Sequence, residues 1–238
     1  MKKNQLILII LLIVLSRINL TAQESSSKFS YGLHLGSSFS GFTHNQEVFS
    51  QMKTGFSGGL FAEFKPIAFL GVSVDADYLM EGAFHVSPYL IYPYSSVNYT
   101  SGVYKDASDV TLHNIHLPVL INIRPISGGV SPTVSLGYSF DLILTANARD
   151  MIMATNGTKA MPVTDRSIEN VSSSFEKWNT GPVAGVGINF PGVKYNYSFD
   201  VRYKVGVRNI NNPAGPDNLN GQYNFSVNTL VFYLTISK

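Results

Sequence analysis

The sequence predicts an all-β fold: one eight-stranded antiparallel transmembrane β-barrel, an up-and-down meander with short turns at one end and long loops at the other. Three observations predict it. Period-2 alternation of apolar and polar residues recurs in eight segments. These segments run about 10–14 residues, against ~5–6 for an average soluble strand and ~9–11 for a tilted membrane-crossing one. The connections between them alternate strictly long and short.

Each segment sets an apolar row against a polar one. The first carries Phe29, Tyr31, Leu33, Leu35 and Phe39 against Ser30, His34 and Ser38, and the second Phe56, Leu60 and Phe64 against Gly59, Glu63 and Lys65. In the third, Leu70 to Tyr78 alternate with Gly71, Ser73, Asp75 and Asp77; in the fourth, Ile115 to Ile123 alternate with Asn114, His116, Asn122 and Arg124. The fifth opposes Val134 through Leu144 to Ser135, Gly137 and Asp141, and the sixth opposes Trp178, Ala184, Val186, Ile188 and Phe190 to Asn179, Gly181, Gly185 and Gly187. The seventh is cleanest, with Tyr195 to Val207 against Asp200, Arg202, Lys204 and Arg208. The last, about 225–237, puts Leu230, Phe232, Leu234 and Ile236 on one face, and its other face (Val231, Tyr233) is also partly apolar.

The connections span about 41–54, 66–68, 81–110, 125–131, 147–177, 191–194 and 209–223. Pro66, Pro125, Gly128, Gly129, Pro191 and Gly192 mark the short ones as turns. Outer-membrane barrels have short periplasmic turns and longer external loops, so both chain ends are expected in the periplasm.

Composition agrees. Of 238 residues only 13% are charged, where ~25% is usual. Residues 1–22 read as a signal peptide, with Lys2 and Lys3 before the apolar run Leu6–Leu15 and a small residue at Ala22; residues 23–238 form the barrel domain. Lys2, Lys3 and Arg17 account for three of the 17 basic residues, leaving 14 against 15 acidic ones, so nothing in the bulk charge argues for nucleic-acid binding and none is expected. The chain has no cysteine, which excludes disulfides, thiolate metal sites and a catalytic thiol.

With the apolar rows facing lipid, the charged residues point inward. Glu63, Asp75, Asp77, Asp141 and Asp200 then meet Lys65, Arg124, Arg202, Lys204 and Arg208. An eight-stranded barrel is just wide enough for side chains to fill, and an unpaired buried charge is costly. The expectation is a paired internal network that plugs the barrel. Gly59, Gly71, Gly137, Gly185 and Gly187 would make room for the long side chains opposite. Tyr31, Tyr78, Tyr138, Trp178, Tyr195, Tyr203 and Tyr233 are candidates for interfacial aromatic girdles.

Short blocks carry a family resemblance. His116-Leu117-Pro118-Val119-Leu120-Ile121-Asn122 resembles the strand motif of the PorT-like outer-membrane β-barrel family of Bacteroidetes. Leu136-Gly137-Tyr138 with Leu142, Gly181 through Gly187, and Val201-Arg202-Tyr203 with Gly206, Asn209 and Ile210 fit the same family in order. The leader ending at Ala22-Gln23 looks like those of Bacteroidetes envelope proteins. The resemblance implies fold and outer-membrane location; most members have no defined role, and the namesake is tied to assembly of a secretion system. One departure is the ending Thr235-Ile236-Ser237-Lys238, where such barrels usually end in an aromatic residue.

No phosphate loop, nucleophile elbow, zinc signature or cofactor motif is present. His44, His85 and His113 fall in or beside external loops, His34 and His116 point inward, and only His116 with Asn114 approaches metal-ligand spacing on one strand. Tyr89, Tyr92, Tyr94, Tyr99 and Tyr104, stiffened by Pro88 and Pro93 within 84–104, either stack on sugars or dock a protein, or else cap the barrel or sit at the lipopolysaccharide level. The reading is a non-enzymatic integral outer-membrane protein, structural or interacting through its external loops. Its partners would be outer-membrane lipid and lipopolysaccharide, with a possible envelope protein. The alternatives are an accessory component of an envelope secretion machine and a lipid-modifying enzyme.

Overall fold

The computed structural model describes residues 28–44, 50–86, 103–125, 129–155, 160–162, 168–212 and 224–238, with backbone alone at 44, 103–107, 150–155 and 160–162. Among the described residues ten strands follow in order: β1 (Phe29–His44), β2 (Gln51–Ile67), β3 (Leu70–Val86), β4 (Val103–Ile123), β5 (Ser131–Thr155), β6 (Ala160–Pro162), β7 (Ile168–Asn170), β8 (Trp178–Phe190), β9 (Asn196–Lys204) and β10 (Phe225–Ser237). Eight of them form a ring. Neighbours pair antiparallel in the order β1-β2-β3-β4-β5-β8-β9-β10, and β10 pairs back on β1. The two short strands, β6 and β7, add to the far end of β5. Closure leaves no free edge in the barrel wall.

Side chains sort by face as the alternation predicts. Phe29, Tyr31, Leu33, Leu60, Val74, Val119, Leu136, Val186, Phe199 and Leu234 stand exposed on the outside, whereas the inner positions are buried and largely polar. Among the described residues no helix is long and apolar enough to cross a membrane.

At the long-loop end the strands outrun the predicted limits. β3 continues to Val86, β4 begins at Val103 and β5 reaches Thr155, so much of 81–110 and 147–177 is strand rather than loop. The physical reason is an inversion of polarity. On β4 the outward row changes from Ile115–Ile123 to Asp109, Thr111 and His113, while the buried inward row changes from Asn114 and His116 to Val110 and Leu112. The alternation persists with its two faces exchanged. On β5 a bulge helps: His113 pairs Thr145 but Asn114 pairs Ile143, so Leu144 is an extra residue. Beyond it Ala146 and Ala148 face inward.

These inward apolar residues meet segments that fold over the barrel mouth. A 3₁₀ turn at Ser172–Ser174 brings Val171 and Phe175 in, and Ile210 is held by its N–H to Phe225 O (2.9 Å). Val86, Val110, Leu112, Ile143, Val171, Phe175, Ile210, Phe225 and Val227 form one buried cluster. Phe42, Phe175 and Phe225 pack there in tilted and edge-on pairs, with ring centroids 5.1–6.3 Å apart. An apolar cap thus sits above a polar interior.

Candidate functional site: the barrel interior

Three polar layers fill the barrel below that cap. Nearest the short turns, Glu63 of β2 accepts from Arg124 Nη2 (3.1 Å), with Nη1 2.8 Å away in ion-pair contact. Lys65 lies 3.6 Å from the same carboxylate. Asn122 donates to Glu63 (2.9 Å) and Ser73 (3.1 Å), and Ser135 donates to Asn122 (2.7 Å). Gly71 leaves the space that Glu63 fills: a Cβ there would stand 2.3 Å from Glu63 Oε1.

In the middle layer Arg202 of β9 donates to Asp75 of β3 at 2.5 Å. Its guanidinium lies over the Tyr233 ring, 5.0 Å from the centroid. Tyr233 donates to Asp77 (3.0 Å) and shares a hydrogen bond with Ser57 (2.8 Å). His34 Nε2 lies 2.6 Å from the other oxygen of Asp77. Asp200 accepts from Ser198 (2.8 Å) and Thr235 (3.4 Å). Gly59 and Gly187 sit where a Cβ would fall 2.2 Å from Asp77 Oδ1 and Asp200 Oδ1 respectively.

In the upper layer Lys204 bridges Asp141 (2.6 Å) and Glu81. His116 Nδ1 lies 2.5 Å from Asp141. Asn114 donates to Glu81 (2.7 Å), as does Thr229. Because Glu81, Asp141 and Lys204 are at most 2% exposed, water does little to screen these interactions.

The structure therefore brings Glu63, Arg124 and Lys65 together, Asp75 with Arg202, and Asp141 with Lys204, while Asp77 and Asp200 find histidine, tyrosine and hydroxyl partners. Arg208 does not join them. β9 ends at Lys204, and Arg208 lies beyond it, exposed and 3.8 Å from Glu176. Tyr233 is no girdle residue: it is 1% exposed and inside the barrel, since it shares the inward row with Val231 and Thr229. The other six girdle candidates point outward. Glu81 was missed because it stands just past the predicted end of the third strand, where polarity inverts.

Tyr89, Tyr92, Tyr94 and Tyr99 lie outside the described residues. Tyr104 belongs to β4, paired with Met153, by backbone alone. His44 ends β1, likewise by backbone alone. His85 takes a left-handed φ of 55° at a break in the β3–β4 register. His113 faces outward, its Nδ1 2.5 Å from the Tyr78 hydroxyl.

The chain is similar to several solved outer-membrane proteins at low sequence identity. The solved structure of OprG from Pseudomonas aeruginosa is 12% identical, covering 88% of this chain and 93% of that one, with a TM-score of 0.46. Neisserial surface protein A is 13% identical over 90% and 98%, with a TM-score of 0.44. The outer membrane protease OmpT of Escherichia coli is 8% identical over 92% and 98%, with a TM-score of 0.40. No curated protein matches the chain. A model of the outer membrane protein beta-barrel domain family matches residues 21–212, most of the chain, and the protein belongs to that family.

Proposed function

We propose that this is an exported, integral outer-membrane barrel that conducts nothing and catalyses nothing, acting structurally or through contacts made at its long-loop end. The observation that carries the reading is the filling of the interior: paired charges in three layers, then an apolar cap. A solute would have to break buried ion pairs, each costing about 3–5 kcal/mol when one partner is lost, before meeting the cap.

Residues 1–22 serve as the export signal, the short turns lie in the periplasm, and the outward apolar rows contact lipid, with lipopolysaccharide at their outer edge. Membership of the PorT-like branch rests on the motif blocks around Pro118 and Gly137. The non-enzymatic reading is supported by His113, whose ring partner is the Tyr78 phenol rather than an activated nucleophile.

The test is planar-bilayer recording of the refolded full chain, paired with protease treatment of intact cells. We expect a silent bilayer and cleavage confined to the long-loop end. Steady unitary conductance would overturn the closed-barrel reading, and altered lipid A after gene deletion would overturn the non-enzymatic one.

A further inference from the structure

The middle layer is incompletely paired. His34 on β1 and Asp77 on β3 face each other across Gly59 of β2, which both strands flank. Asp75 lies two residues along β3. One ligating atom from each of His34, Asp75 and Asp77 lies within 4.8 Å of the others, and the three residues are 0–2% exposed. Two of their buried atoms have no hydrogen-bond partner: His34 Nδ1 and Asp75 Oδ1. A buried polar atom left unsatisfied costs about 1–3 kcal/mol.

Charge points the same way. Asp75, Asp77 and Asp200 share this layer with one guanidinium, Arg202, and that group is spent on Asp75. Lys204, next along the inward row, is held by Glu81 and Asp141. His34 Nε2 faces Asp77 Oδ1 at 2.6 Å, while Asp75 Oδ1 is buried without a partner. A cation taking the place of the hydrogen between Nε2 and Asp77 satisfies Asp75 Oδ1 and offsets the excess negative charge.

We infer that His34, Asp75 and Asp77 form a binding site for one divalent transition-metal ion of the zinc class inside the barrel. One imidazole and two carboxylates suit zinc, manganese or ferrous iron, whereas calcium takes six to eight oxygens. The carboxylates already have the outer hydrogen bonds that orient ligands, from Arg202 to Asp75 Oδ2 and from Tyr233 to Asp77 Oδ2. Gly59 supplies the space, since any side chain there would collide with Asp77. Sequence spacing hides the site because its ligands come from two strands separated by a third. With the apolar cap above, the ion is taken up as the barrel closes, and its role is to tie β1 to β3.

The full chain is refolded into detergent micelles with zinc or with chelator, and bound metal is measured by elemental analysis. Cobalt is substituted to read the ligand field by absorption. About one zinc per chain, retained against chelator while the barrel stays folded, together with a raised temperature for the unboiled-to-boiled gel shift, is the expected result. Asp75→Asn and His34→Ala lower zinc affinity by more than the roughly 10–100-fold that an orienting partner alone is worth. Asp200→Asn, in the same layer but outside the cluster, leaves it unchanged. Wild-type protein folding without stoichiometric metal, or both ligand variants keeping it undiminished, would overturn the site. If the ligand variants fail to fold, wild-type stoichiometry and the cobalt spectrum decide. Conductance is a separate readout, so a metal-free closed barrel would sink this inference alone.

Discussion

Lys204 holds two carboxylates, Glu81 and Asp141, that come from β3 and β5. Replacing it with Met keeps most of its volume but leaves both acids without their cation. Removing one partner of a buried pair costs about 3–5 kcal/mol, so Lys204→Met should lower the urea midpoint of barrels folded in lipid vesicles by that equivalent. Arg208→Met breaks only the 3.8 Å contact with Glu176 at the surface, where a pair is worth about 0–1 kcal/mol. Equal effects from the two variants would mean that the internal network is not what stabilises the barrel. Asp141 and Lys204 were readable as inward residues, because each sits between apolar neighbours at period 2. Their grouping was not, since partners on different strands are set by barrel closure. Glu81 could not be read as a wall residue at all, standing where the strand pattern seemed to stop.

The long strands show why that pattern seemed to stop. In the lower part of β4 the outside is apolar and the inside polar, as lipid demands; beyond His113 the inside is apolar and the outside polar, as water demands. A reader following the lipid-facing row loses it at the boundary and assigns a loop. On β5 the extra residue Leu144 also shifts the phase, so a strict period-2 count would place Thr145 and Asn147 inside instead of Ala146 and Ala148. This makes the bulge testable. Deleting Leu144 removes the extra residue, so Thr145 follows Ile143 in the outward place and Ala146 and Ala148 stay inward beside Leu112 and Val110. We expect the deletion variant still to shift on boiling and to keep the wild-type resistance of the upper β4–β5 region to limited proteolysis. Cleavage of that region in the variant would show that the bulge itself, and not the inward row it phases, holds the cap. As a mild control, Ile143→Val removes one methylene from the same cluster at about 0.5–1.5 kcal/mol.

At the scale of the molecule, closure and solvent are linked. β10 completes the ring on β1, and the last residue is locked there by paired backbone bonds between Tyr31 and Lys238 at 2.9 and 3.1 Å. The ring topology was readable because loop lengths alternate and the strand count is even. An inside-out distribution of this kind, with polar side chains buried and Phe, Leu and Val exposed around the whole circumference, is stable only if hydrocarbon surrounds it. Val119 tests this directly. It is 42% exposed and central in the apolar row from Ile115 to Ile123. Arginine at the bilayer midplane costs about 2–4 kcal/mol, falling to about 0–1 near the interface. Val119→Arg should therefore destabilise the vesicle-embedded barrel by the larger amount. Thr111→Arg, on the same outward row above the polarity inversion, should cost only the hydrogen bond that Thr111 accepts from Lys53 (2.6 Å), about 0.5–1.5 kcal/mol. In water Val119→Arg would cost no more than that, so a Val119 variant as stable as the Thr111 one would remove the lipid from the argument and with it the outer-membrane assignment of this face. A graded loss along the row, largest at Val119 and fading at Ile115 and Ile123, would locate the hydrocarbon layer on the barrel wall.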